Sequence, residues 1–127
     1  MALRFRGLWL TLGFGFVLFV VFLSLTPDRP YMPVPNGWKI GHVLAYAWLM
    51  FWYAQIYASA VTRLRLAIVF CLMGVTLEYL QGLTDYRSFA YSDMLLNSGG
   101  VALGFLLGQT PLQYLLKTFE TMLPRRT

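Results

Sequence analysis

Charge is what this chain has least of. Asp, Glu, Lys and Arg make up 12% of its 127 residues while hydrophobic types make up 58%, against roughly 25% charged in ordinary soluble domains. A charged, water-facing shell cannot be built from so few residues, and the composition predicts a membrane protein. The single cysteine, Cys71, lies inside an apolar run, which excludes an internal disulfide and is read as packing. HExxH, Cys-x-x-Cys and Gly-x-Ser-x-Gly frames are absent, so neither a metal site, a cofactor site nor a nucleophile elbow is expected. No repeat of roughly 20 to 50 residues is visible, which leaves a solenoid without support. Acids number five against ten Lys and Arg, a net +5. The basic residues fall in short flanks around apolar runs, a distribution that sets membrane topology and does not suit nucleic acid.

What is present is a series of lipid-length runs. The first, about residues 8–25, follows Arg4 and Arg6 and carries no charge. It exceeds a signal peptide's apolar core of roughly 7 to 15 residues and finishes Ser-Leu-Thr-Pro in place of a small-x-small site, so it is read as a span. Residues 26–38 hold Pro27, Pro30, Pro33 and Pro35, which favour an extended connector, with Trp38 at the interface. The second span, about 40–58, carries Gly41 and Ala45 as a small-residue pair for helix contact. Trp48, Trp52, Tyr53 and Tyr57 toward its far end are read as interfacial anchors. A short turn with Arg63 and Arg65, taken as topology-setting charge, leads to a third span of about 66–83 and a fourth of about 93–109. Gly100, Gly104 and Gly108 give the fourth a smooth stripe for close helix packing. Beyond Pro111, Leu112, Leu115, Leu116, Phe119, Met122 and Leu123 form an apolar stripe opposite Lys117 and Glu120, predicting a helix on the membrane surface. The fold expected is all-α, a single polytopic domain over residues 1–127. It comprises a four-transmembrane-helix bundle with a C-terminal amphipathic interfacial helix.

Four spans put both termini on one side. That side carries Arg4, Arg6, Arg63, Arg65, Lys117, Arg125 and Arg126, seven of the ten basic residues, against Arg29, Lys39 and Arg87 on the other, which makes the termini cytoplasmic. Three of the five acids, Glu78, Asp85 and Asp93, lie between residues 78 and 104. Lys39, His42 and Tyr46 open the second span, Glu78 and Gln81 close the third, and Asp93 and Asn97 open the fourth. Within each helix the spacings of three and four place these side chains on one face. All lie toward the outer face, with Arg87 between them, and polar groups at lipid depth are costly enough to mark a functional site by default.

The ordered set Lys39-x-x-His42-x-x-x-Tyr46, Glu78-x-x-Gln81, Arg87, Asp93 and Asn97 followed by Gly100 resembles the VanZ-like family of small bacterial membrane proteins. The resemblance spans roughly residues 36–108. It implies a cell-envelope role in the bacterial cytoplasmic membrane and a connection to glycopeptide (teicoplanin) susceptibility, without implying a reaction.

Three functions fit these residues. Lys39 and Arg87 can hold an anionic or polyprenyl-linked lipid head group over a network of His42, Tyr46, Glu78, Gln81, Asp93 and Asn97. Alternatively, His42, Glu78 and Asp93 are the parts of an acid–base enzyme acting on a lipid-linked phosphate, with Asp93 orienting the imidazole. In the third, buried pairs such as Glu78 with Lys39 or Arg87 only lock the bundle.

Overall fold

The computed structural model describes residues 3–27, 33–35, 37–85 and 90–125, apart from the side chain of Trp38. The expectations for Arg29, Arg87 and Pro30, and for the indole of Trp38, lie outside the described residues. Those described are helical, without strands. Their order is α1 (Arg6–Leu25), α2 (Gly37–Ile56), α3 (Ala60–Gly82) and α4 (Tyr91–Leu107), then a 3-10 turn (Pro111–Tyr114) and α5 (Leu115–Met122). Two of these, α1 and α3, are long and apolar enough to cross a membrane.

Local signals set several boundaries. The Ser59 side chain accepts the Thr62 N–H and caps α3, so α3 starts at Ala60 and not near residue 66. Arg63 and Arg65 are therefore helical and not part of a turn. Thr110 caps the 3-10 turn, whose first residue is Pro111, where the missing N–H costs nothing. Asp93 sits in the first turn of α4, where a carboxylate complements the helix dipole.

The four long helices form an up-down bundle in the cyclic order α1, α2, α4, α3, with α2 and α3 also touching across it. Parallel α2 and α4 make the most extensive pair, and the reason is steric. A Cβ on Gly100 or Gly104 would run into the carbonyl oxygens of Val43 and Ala47, and one on Gly108 would lie 2.5 Å from the Ala54 Cβ. Backbones this close leave room only for hydrogen. The complementary surface of α2 runs through Val43, Ala47 and Ala54, whereas Ala45, expected beside Gly41 in a contact pair, packs on the central core cluster. That cluster joins Val20, Tyr46, Leu49, Met50, Ala54, Phe70 and Val101.

Of the four expected anchors, of which Tyr57 falls just beyond the end of α2, Trp48 is exposed but Trp52 is buried. The Trp52 indole donates to the Trp9 carbonyl at 2.9 Å and meets the Trp9 and Phe16 rings edge-on. It is a core residue, because the expected anchor position is covered by α1. On α5, Leu116 and Glu120 are buried while Leu115, Phe119 and Met122 are exposed, as is Leu112 in the 3-10 turn before it. Glu120 thus lies on the inward face and not on the outer polar face assigned to it from periodicity.

Gly104→Ala is expected to lower the melting temperature in detergent through overpacking, by about 1–3 kcal/mol. Gly99→Ala, where a Cβ meets nothing within 4 Å, should be neutral or stabilising by up to about 1 kcal/mol through helix propensity. Thermal unfolding of the two variants side by side measures the difference.

Candidate functional site

The polar residues of α2, α3 and α4 gather at the end of the bundle formed by the C-termini of α1 and α3 and the N-termini of α2 and α4. Glu78 is 1% exposed, Asn97 2% and Asp93 4%, although apolar side chains dominate the outward surface of the same helices. His42 Nδ1 donates to Asn97 Oδ1 at 2.7 Å, tying α2 to α4. An amide oxygen only accepts, so in this contact Nδ1 carries the proton. Gly74 of α3 completes the junction. A Cβ there would lie 3.0 Å from the Asn97 Cβ and 3.3 Å from the Tyr46 ring, so three helices meet at one glycine.

The sequence-predicted residues divide here by what they do. Glu78 Oε1 accepts the Ala90 N–H at 2.8 Å, and Ala90 is the N-cap residue of α4, whose own side chain offers no cap. Gln81 Nε2 donates to the Ser24 carbonyl at 2.6 Å, in the last turn of α1. Glu78 and Gln81 therefore satisfy the ends of neighbouring helices. Gln81 reaches α1, away from the His42–Asn97 contact. The imidazole is oriented by Asn97 and not by Asp93, the partner expected from the sequence. Lys39 is half-buried one turn before His42, and Arg87 lies outside the described residues. Asp93 Oδ1, Tyr46 Oη and the second Glu78 oxygen, Oε2, are buried without a hydrogen-bond partner among the described residues. Buried polar atoms are satisfied in the great majority of cases, and each exception calls for an account.

The opposite end holds two buried polar residues that sequence reasoning took for surface charge. Arg63 is 9% exposed. Its guanidinium donates to the Tyr57 carbonyl at 2.6 Å, the Ala54 carbonyl at 2.5 Å, the Gly108 carbonyl at 3.0 Å and Gln113 Oε1 at 3.0 Å. It closes the C-terminal ends of α2 and α4 together. A signal existed, since a cation in the first turn of a helix opposes that helix's own dipole, which makes sense if it serves the negative ends of others. Glu120 does the converse for α1, which starts after Phe5 with no side-chain cap. Its Oε1 accepts the Arg4 N–H and its Oε2 accepts the Phe5 N–H and the Trp9 indole N–H, all at 2.7 Å. The signal for Glu120 was the lack of any capping residue at the start of α1.

Among the described residues, no group of three His, Cys, Asp or Glu is arranged to hold a metal ion.

Burial opposes the Glu120 charge, but the hydrogen bonds from Phe5, Trp9 and Arg4 and the nearby Lys117 charge outweigh it and hold the carboxyl below the usual glutamate range. A depressed folded-state pKa contributes stability that is fully present above the unfolded value, about 4.3, and is lost as pH falls through the folded one. Glu120→Gln should therefore melt lower than wild type at pH 7, with the gap closing below about pH 4. Arg63→Ala, which strands several buried acceptors at about 1–3 kcal/mol each, should lose folded yield. Arg65→Ala, exposed on the same helix, should match wild type by size-exclusion and thermal melting.

Comparison with known protein families, with curated proteins and with solved structures found no match, so the reading of this site rests on its own chemistry.

Proposed function

We propose that this chain is a four-span, VanZ-like protein of the bacterial cytoplasmic membrane with both termini cytoplasmic, and that its outer end binds a lipid-linked envelope ligand. The distribution of polarity supports the membrane part. Ionisable side chains Arg63, Glu78, Asp93 and Glu120 are buried, while Phe14, Leu18, Phe19, Phe22, Ile68, Val69, Leu72, Val75, Leu95 and Leu106 face outward. An apolar surface of this extent needs a cover in water, and lipid provides one around all four long helices. α5 then lies at the cytoplasmic interface, with Phe119 and Met122 toward the acyl chains.

The observation that carries the ligand reading is that Asp93 Oδ1 and Tyr46 Oη are buried with no hydrogen-bond partner among the described residues. A carboxylate acceptor and a phenol suit hydroxyl or ammonium groups of a head group. Its phosphate charge falls to Lys39 and, from its place in the sequence, Arg87 at the rim. The resemblance to VanZ-like proteins extends this reading to glycopeptide (teicoplanin) susceptibility. A purely structural role accounts for the helix-end contacts of Glu78 and Gln81 and for an acid in the first turn of α4, but leaves Asp93 Oδ1 and Tyr46 Oη without a hydrogen bond among the described residues. The acid–base reading is weaker, because a neutral amide holds His42 where a carboxylate would stabilise the imidazolium.

Asp93→Asn removes an ionisable group at lipid depth, so it is expected to leave yield and melting temperature unchanged or raised. At the same time it should abolish copurification of the ligand lipid, detected by mass spectrometry, and complementation of an envelope phenotype. Tyr46→Phe should weaken both. Wild-type lipid retention and complementation by the two variants would overturn the ligand site. Reporter fusions at Thr127 and near Arg65 should read cytoplasm and those at Pro33 and Thr84 outside; an external signal at Thr127 would sink the four-span topology.

A further inference from the structure

At the end of the bundle away from the proposed ligand site, the N-terminal turn before α1 and the C-terminal part of α5 enclose a cleft of about 720 Å³ whose lining includes Arg4, Phe5, Lys117, Glu120, Thr121 and Arg125. Three cations share this cleft with one acid. Both oxygens of that acid are already engaged by the Arg4 and Phe5 N–H groups and the Trp9 indole, so the Glu120 charge is spent on the N-terminus of α1. The positive end of the α1 dipole also points here. Arg4 and Arg125 are exposed and Lys117 half-buried, and the Arg4 guanidinium is spread over the Phe5 ring at 4.6 Å. The cleft therefore presents an excess of cationic donors, in a volume within the range of roughly 300–1,000 Å³ typical of small-ligand sites. Beside it Leu115, Phe119 and Met122 are exposed, an apolar margin that a free anion would not use and that acyl chains would.

We propose that this cleft is a binding site for the phosphate head group of an anionic phospholipid, which, on the four-span reading, belongs to the cytoplasmic leaflet. Arg4, Lys117 and Arg125 hold the phosphate by charge-assisted hydrogen bonds, and the chains follow the apolar margin of α5. The site would fix the angle at which α5 meets the membrane, and through Glu120 it is continuous with the cap of α1.

The test uses the full chain purified in a neutral detergent. Melting temperature is measured against short-chain phosphatidylglycerol, short-chain phosphatidylcholine and free glycerol phosphate. Phosphatidylglycerol should raise the melting temperature and phosphatidylcholine should not, with the effect declining as salt is added. Arg4→Gln, Lys117→Gln and Arg125→Gln, each read as a shift from its own lipid-free melting temperature, should weaken the apparent affinity roughly fivefold, the factor expected per basic residue at an anionic surface. An equal response to both lipids, a response to glycerol phosphate matching that to the lipid, or wild-type titration by the three variants would overturn the site. So would a phosphatidylglycerol response lost in Lys39→Gln but kept in the cleft variants, which would move the lipid to the other end. Orientation is read separately, by impermeant thiol labelling of Thr121→Cys in a Cys71→Ala background. Labelling from outside intact cells would defeat the four-span topology while leaving the detergent result to decide the cleft.

Discussion

Every helix leaves unsatisfied N–H groups at its start and C=O groups at its end, and in this bundle buried side chains from other helices meet many of them. Glu120 takes the N–H groups at the start of α1. Gln81 takes a carbonyl at its end. Arg63 closes α2 and α4, Arg6 adds the Ile56 carbonyl at 3.0 Å, and Glu78 serves the cap residue of α4. The charges match the dipoles, with acids at N-termini and cations at C-termini. Few local capping residues are used, so the ends of each helix are defined by its neighbours. Removing one long-range cap exposes two elements at once.

This constraint explains why so few charged residues are nevertheless buried. Such a group is costly in an apolar setting unless its hydrogen-bonding capacity is used, and backbone groups at helix ends are the partners available there. Between the capped ends, packing is governed by the glycine stripe of α4 on α2 and by aromatic contacts of α1 with α2. The close approach at Gly100 and Gly104 brings α4 near enough for Asn97 to reach His42. The geometry of the polar end thus follows from the absence of side chains one turn deeper.

Against this background Asp93 and Tyr46 stand out because neither side chain is hydrogen-bonded to a helix end among the described residues. The proposed ligand site rests on that contrast, because Glu78 and Gln81 each hold a neighbouring helix end, although Glu78 Oε2 also lacks a hydrogen bond there. The two ends also differ in kind. One gathers buried neutral and acidic groups, with Lys39 at their edge, around atoms that no described residue satisfies, while the other sets excess cations around an acid that is already satisfied.

Part of the architecture was legible in the amino-acid sequence. The all-helical character, two helices long and apolar enough to cross a membrane, the spacing of Gly100, Gly104 and Gly108, and the grouping of His42, Tyr46, Glu78, Asp93 and Asn97 toward one end all follow from periodicity and connectivity, which are local properties. The roles of Arg63, Glu120 and Trp52 were not legible in the same way. Periodicity gives the face a side chain occupies only relative to its own helix, and Glu120 read as surface because its neighbours in α5 are more apolar than it is. Whether a charge faces water or the end of another helix depends on contacts far apart in the chain, as with Arg63 to Gly108, 45 apart, and Glu120 to Phe5, 115 apart. The sequence alone determined which residues were polar and at which end they would lie. Only the tertiary structure decided which of them are used up in holding helix ends and which carry atoms that no described residue satisfies, because hydrogen bonds are satisfied in space and not along the chain.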